Sequence, residues 1–178
     1  MTPRLLDRRP RGSGPDIPDS RRREGLFAQG VARDALFALA AFGDVNGRAM
    51  CNLYSLTKGQ SAIRDLFSVK HDRAGNLPLF PSIFPDQVAP IVRRGPDGER
   101  ELVTARWGMP GPPQFGGQPV TNIRNVTSPH WRGWLGNRCV VPATSFCEYA
   151  DTRPHKTPIW FALGEDRPLF AFAGLWAR

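Results

Sequence analysis

Met50-Cys51 is the pair with the most unusual chemical potential in this chain. Upstream lies an Arg/Pro-rich stretch. Downstream the sequence turns at once into strand-like residues, Cys51-Asn52-Leu53-Tyr54-Ser55-Leu56. If Cys51 becomes a first residue, it carries an α-amine and a thiol together, and a 1,2-aminothiol can do chemistry that an internal cysteine cannot. An internal cysteine more often behaves as a small buried hydrophobe. Cys139, beside Val140 and Val141, reads as core, and Cys147 as structural.

Glu148 is the second candidate. The run from Val140 to Tyr149 places this carboxylate among largely apolar and aromatic neighbours. Such surroundings raise a carboxyl pKa and suit it to proton transfer near neutrality; a surface Glu at a strand end is the competing reading. Asn122-Ile123-Arg124-Asn125 follows a Pro/Gly loop over 110–119. An Asn amide can hold a carbonyl or a sugar hydroxyl, and Arg124 can fork onto a phosphate, although turn chemistry accounts for the asparagines equally well. Trp107, Trp131 and Trp134 interleave with Arg106, Arg132 and Arg138. That composition suits a stacking-plus-phosphate surface for single strands, with core packing the competing reading for at least two of the tryptophans.

The elements that must position these groups are legible mainly after residue 50. Thr57-Lys58-Gly59-Gln60 has the T-x-x-Q form of a capping box. With Ile63, Leu66 and Phe67 at helical spacing, it predicts an amphipathic helix over 57–68. Val88–Arg93 and Glu99–Trp107 read as strands around the turn Gly95-Pro96-Asp97-Gly98. Ser128-Pro129 predicts a short helix over 129–135. Arg138–Val141, Pro158–Leu163 and Pro168–Trp176 read as further strands. The sum is an α+β, β-rich, barrel-like domain with a few short helices.

Residues 1–24 offer few apolar groups to offset chain entropy, so disorder is expected there, and 26–42, rich in Ala, Leu and Phe, is predicted to form a short helix. Residues 1–49 are thus expected to be an extension outside the folded unit: the product of a start placed too early, a removable leader or a basic arm. Residues 50–178 are the expected domain.

At 178 residues the chain suits one domain with a tail to spare. Its formal net charge is +8. Residues 1–49 hold nine arginines against six acids, and 50–178 hold 15 Lys+Arg against 10 acids, so the excess belongs to the folded part as well. A basic surface suits nucleic acid or an anionic membrane, but it also fits an ordinary soluble protein from an Arg-rich genome. Three cysteines without CxxC spacing argue against a disulfide framework and a zinc site, and fit a reducing cytoplasm. No apolar run approaches the roughly 18–20 residues of a membrane span.

Six blocks then stand in order: Met50-Cys51-Asn52, Arg106-Trp107-Gly108-Met109-Pro110, Asn122-Ile123-Arg124-Asn125, Arg138-Cys139-Val140-Val141-Pro142, Ser145-Phe146-Cys147-Glu148 and Phe172-Ala173-Gly174-Leu175-Trp176. Each is weak alone, but in this order the set resembles the SRAP (SOS-response-associated peptidase) family across essentially all of 50–178. The resemblance implies covalent capture of abasic sites in single-stranded DNA by a cysteine that becomes N-terminal, either through initiation at Met50 and removal of that methionine or through self-cleavage of the Met50–Cys51 bond. It implies Cys51 as nucleophile, Asn122 near the deoxyribose, Glu148 as acid/base and Arg124 as a DNA-backbone contact. Arg106, Trp107 and Arg132 join the expected DNA surface. It implies a monomer acting without cofactor or metal.

The family's late His, in an H-x-x-x-P-like block, has no counterpart here; His71, His130 and His155 stand in other contexts. Slower cross-linking, an unpaired sheet edge and marginal stability are the expectations that follow. Two other functions remain open: a non-catalytic single-strand binding module, and an inactive truncated product.

Overall fold

The structure is a computed structural model that describes residues 35–40 and 51–178. Among the described residues, eleven strands carry the fold. They are β1 (Leu36–Ala40), β2 (Tyr54–Leu56), β3 (His71–Asp72), β4 (Phe80–Ile83), β5 (Val88–Arg94), β6 (Arg100–Trp107), β7 (Asn122–Ile123), β8 (Arg138–Ala143), β9 (Ser145–Ala150), β10 (Thr157–Phe161) and β11 (Phe170–Ala177). One α-helix, α1 (Gln60–Leu66), and two 3-10 turns, Pro113–Phe115 and Pro129–Trp134, complete the described elements.

The β5–β6 hairpin forms where the sequence predicts it. Gly95 N–H donates to Glu99 O at 2.8 Å across the turn, and the register runs from Arg94↔Arg100 to Val88↔Arg106. β8 pairs with the free edge of β5, β11 with β8, and β1 with β11, all antiparallel. β1 then pairs in parallel with β6 through Leu36↔Arg106 and Phe37↔Trp107. The order β6-β5-β8-β11-β1 therefore returns to β6 and closes a five-stranded barrel. Closure removes the edges that an open sheet would expose.

A second sheet, in the order β10-β9-β2-β4, packs against the barrel. The chain passes from the barrel strand β8 into β9 at Thr144. This residue is fully buried, and its N–H donates to Ser55 O at 2.8 Å. Aromatic rings fill the junction. Trp107 lies parallel to Phe37 at 6.2 Å and edge-on to Tyr54 at 5.2 Å. Phe172 contacts Tyr54 and Phe146 edge-on. At the other end of the barrel Glu101 is 3% exposed. It accepts from Arg93 Nε at 2.8 Å, and Arg73 approaches it at 3.3 Å. Arg93 itself lies 4.0 Å over the Trp176 ring.

Two expectations are overturned. Leu36–Ala40 is a barrel strand and not part of a helix over 26–42, and it belongs to the folded unit although it precedes residue 50; the remainder of 1–49 lies outside the described residues. Ala and Leu favour helix intrinsically, but the slot beside β11 satisfies this segment as a strand, and tertiary context decides. The helix is shorter than 57–68 and lacks the capping box. Gly59 is its N-cap without a side-chain bond, the Thr57 hydroxyl meets that of Thr144 at 3.1 Å, and Gln60 bonds Asp72, Gly75 and Leu77. The expected unpaired sheet edge is found at β10, which among the described residues pairs only with β9 and exposes Ile159, Trp160 and Phe161, whereas β11 is flanked by β8 and β1. Among the described residues no helix is long and apolar enough to cross a membrane.

Two of the glycines that close packing calls for lie on or beside the barrel strands. Gly108, where the chain leaves β6, sits at φ 145° with Pro119 Cβ 3.1 Å from the place a side chain would begin. Gly174 lets β11 approach its neighbours: a Cβ there would meet Cys139 Sγ at 2.9 Å and Ala38 O at 3.1 Å.

Candidate active site

Cys51, Asn122 and Glu148 come from three separate stretches, and the fold brings them together. β7 is short, and its placement depends on the carbonyl of Thr121. That oxygen accepts from Leu39 N–H of β1 and from Trp107 Nε1–H, each at 2.9 Å. Asn122 follows, 8% exposed, and its Nδ2 donates to Cys51 O at 2.9 Å. The same nitrogen reaches Thr121 Oγ1 at 3.2 Å and Asn52 Oδ1 at 3.4 Å. Three acceptors around one amide nitrogen fix where the Cys51 backbone lies.

The Cys51 thiol is 8% exposed and donates to Leu53 O at 3.3 Å. Burial pushes it up from the ordinary 9.0 to about 12, with the nearby Glu148 carboxylate adding in the same direction. Backbone hydrogen bonds with Leu53 and Cys147 act to lower it but do not prevail. In the continuous chain the thiol is therefore protonated at neutral pH. Glu148 on β9 is half-buried and faces Ile159 across the β9–β10 pair. Cys139 and Cys147 are also buried thiols raised by burial, Cys139 to about 12. Tyr54 stands between these groups. It is buried and raised by desolvation, and its hydroxyl has no hydrogen-bond partner among the described residues.

The residues expected on the DNA surface separate. Arg124 and Arg132 are exposed. Arg106 is held on the outside of β6 by Asp86, with Nη1 donating to Asp86 O at 2.7 Å. Trp107 cannot stack a base: it is fully buried. The physical reason is the period of two along a strand, which sends Arg106 outward and Trp107 inward, so neighbours interleaved in sequence cannot share one face. Trp131 is buried as well, and Trp134 packs against His130 and Trp131. Sequence reasoning did not single out the exposed aromatics, Trp160 and Phe161 of β10, at 41% and 45% exposure on the strand beside Glu148. It also missed β1, whose Leu39 helps hold Thr121. The signal available was the apolar run Leu36-Phe37-Ala38-Leu39-Ala40, which periodicity alone cannot assign to strand or helix.

Two surface clefts lie away from Cys51. One, of about 480 Å³, is lined by Gln60, Arg64, Asp72, Gly75 and Asn76. The other, of about 380 Å³, lies between Arg94, Arg138 and Trp176. Cys51 itself is buried among the described residues.

Comparison with known proteins gives a consistent result. The family model for SOS response associated peptidase (SRAP) matches residues 50–178. Among solved structures, the chain is similar to a crystal structure of a protein from Bordetella bronchiseptica. The two share 26% identity with a TM-score of 0.55, over 72% of this chain and 64% of that one. The chain thus spans just under two thirds of that protein's length. No curated protein matches.

Proposed function

Because the chain belongs to the SOS response associated peptidase (SRAP) family, we propose that it captures abasic sites in single-stranded DNA covalently through Cys51. The observation that carries this reading is the Asn122 amide on the Cys51 carbonyl at 2.9 Å, with the charge of Glu148 felt at the thiol. A nucleophile, a positioning amide and a proton carrier converge from sequence positions far apart.

In the continuous chain the Cys51 nitrogen is an amide and cannot condense with an aldehyde. The Met50–Cys51 bond must first be cut. The Cys51 sulfur adds to the Met50 carbonyl, the C–N bond breaks, and the leaving amine takes a proton that Glu148 can deliver. Water then hydrolyses the resulting thioester, leaving a Met50 carboxylate and Cys51 with amine and thiol both unblocked. An abasic site in its ring-opened form presents an aldehyde. The amine condenses with it, releasing water and forming an imine; the thiol adds to the imine carbon, and the nitrogen takes up the proton. The product is a five-membered thiazolidine. Both steps are redox-neutral. Holding amine and thiol on one residue makes the second step intramolecular, which supplies several kcal/mol of its barrier. Glu148 relays protons in both stages. Arg124 and Arg132 are the proposed phosphate contacts.

The test is an oligonucleotide carrying one abasic site. A denaturant-resistant adduct is expected with the wild type and none with Cys51→Ala, and intact mass should show Cys51 as the first residue of the cross-linked species. Equal adduct with both proteins would remove Cys51 from the mechanism. Salt-sensitive binding that needs no abasic site and survives Cys51→Ala would instead identify a non-catalytic single-strand binder.

A further inference from the structure

We infer that the barrel contains a strand-accepting slot, between β11 on one side and β6 with β7 on the other, and that residues 35–40 occupy it as a bound ligand that stays in place when the chain is cut before Cys51. The inference rests on the proposed function only for where the natural cut falls; the slot stands on geometry alone.

β1 is held along both edges. On one side its register with β11 runs from Leu36↔Ala177 through Leu39↔Gly174. On the other, Arg106 N–H donates to Ala35 O at 2.8 Å, Gly108 N–H to Phe37 O at 2.8 Å, and Leu39 N–H to Thr121 O at 2.9 Å. Both faces are covered as well. Phe37 and Leu39, at 0% and 2% exposure, enter the main core with Trp107 and Val141, while Ala38, at 0%, enters a second cluster with Met109, Ile123 and Leu175. An extended segment paired on two edges and buried on two faces is how a peptide binds by strand addition. The approach is close at Gly174, where a Cβ would lie 3.1 Å from Ala38 O and crowd the strand.

The covalent link from this strand to Cys51 is residues 41–50 alone. Water added across any peptide bond there gives a carboxylate on one piece and an amine on the other, and breaks none of the β1 contacts. The processed protein is then a two-piece assembly, with the upstream piece closing the barrel and continuing to hold Thr121 beside Asn122. The partner this surface fits is an extended apolar peptide with a small residue opposite Gly174's neighbours, supplied here by the chain itself.

The experiment uses the full chain with a site-specific protease sequence inserted between residues 44 and 45. After cutting, native gel filtration with intact-mass detection should find both pieces in one peak, separating only in denaturant. Hydrogen exchange at Leu39, Arg106 and Gly108 should stay protected after the cut. The melting midpoint of the cut protein should rise with its concentration, as for any bound partner. Phe37→Asp, placed in the cut chain, should release the upstream piece. Separation of the two wild-type pieces on native filtration overturns the inference, whether the remainder stays soluble or precipitates. So does free exchange at Leu39 and Gly108 in the uncut chain. Because this cut is engineered, its outcome is independent of whether Cys51 captures abasic DNA.

Discussion

Cys51 in the continuous chain should be a poor nucleophile, by an amount that follows from its burial. Its thiol sits at about 12 against the ordinary 9.0. At pH 7.5 a thiol of 9.0 is about 3% ionised and one of 12 about 0.003%, roughly a thousandfold less of the reacting thiolate. A more basic thiolate is intrinsically more nucleophilic; a Brønsted slope of about 0.4–0.5 recovers roughly 15–30-fold. The net expectation is alkylation about 30–60-fold slower than a solvated reference thiol, before any steric shielding is added. The assay is timed iodoacetamide modification with peptide mapping, which gives a separate rate for each of the three cysteines, from pH 7 to pH 10.5. The Cys51 rate should climb about tenfold per pH unit across the whole range, while the reference levels off above its own pKa. A Cys51 rate that matches the reference at pH 7.5, or that levels off below pH 9, would refute the argument that burial governs this thiol.

Three further outcomes follow from the packing. Cys139 is raised by burial to about 12, so the unfolded chain loses this proton first as pH rises. The associated stability is complete below pH 9 and is lost towards pH 12. Urea melts at pH 7.5 and 10.5 should show Cys139→Ala losing about 2 kcal/mol less than the wild type over that interval, and equal losses would exclude the linkage. Gly174→Ala should destabilise the barrel by about 1–3 kcal/mol, because its Cβ would meet Cys139 Sγ at 2.9 Å; adding Cys139→Ala should restore part of that in the same melts. Arg93→Met strands the buried Glu101 carboxylate with only the exposed Arg73 opposite it. It should cost about 3–5 kcal/mol, and Arg93→Met with Glu101→Leu should cost less than Arg93→Met alone.

Much of the barrel is legible in the sequence where buried residues come in runs bounded by turns. β5 and β6 show it because a tight turn separates two apolar runs, and β8 and β11 because their Val, Phe and Trp residues exceed what a loop would carry. β10 was legible from its Ile-Trp-Phe run even though every residue in it is exposed. The capping box over Thr57–Gln60 was not a box, because the Thr57 N–H is committed to Thr144 Oγ1, 87 positions away. No local pattern carries that information. Of the site, the residue types were readable and their meeting was not. Asn122 reaches Cys51 across 71 positions, through a carbonyl that two other strands hold in place. Trp107 was misread as surface because its arginine neighbour suggested one face, whereas a strand divides neighbours between two.

The two demands on the segment before Cys51 pull against each other. Barrel closure needs Leu36–Ala40 in the slot, and imine chemistry needs the Met50–Cys51 amide broken. A start at Met50 would satisfy the second by giving up the first, leaving the facing edges of β11 and β6 unpaired and the Thr121 carbonyl without its Leu39 donor. Cleavage of the Met50–Cys51 bond in the longer chain satisfies both, because every contact that holds β1 against β6, β7 and β11 is non-covalent. If capture of abasic DNA depends on the Asn122 position, processing of the longer chain is therefore the route that preserves it. The discriminating comparison is between a processed chain and a Met50-initiated one at equal concentration. Equal cross-linking rates from the two would mean that β1 contributes nothing to the site.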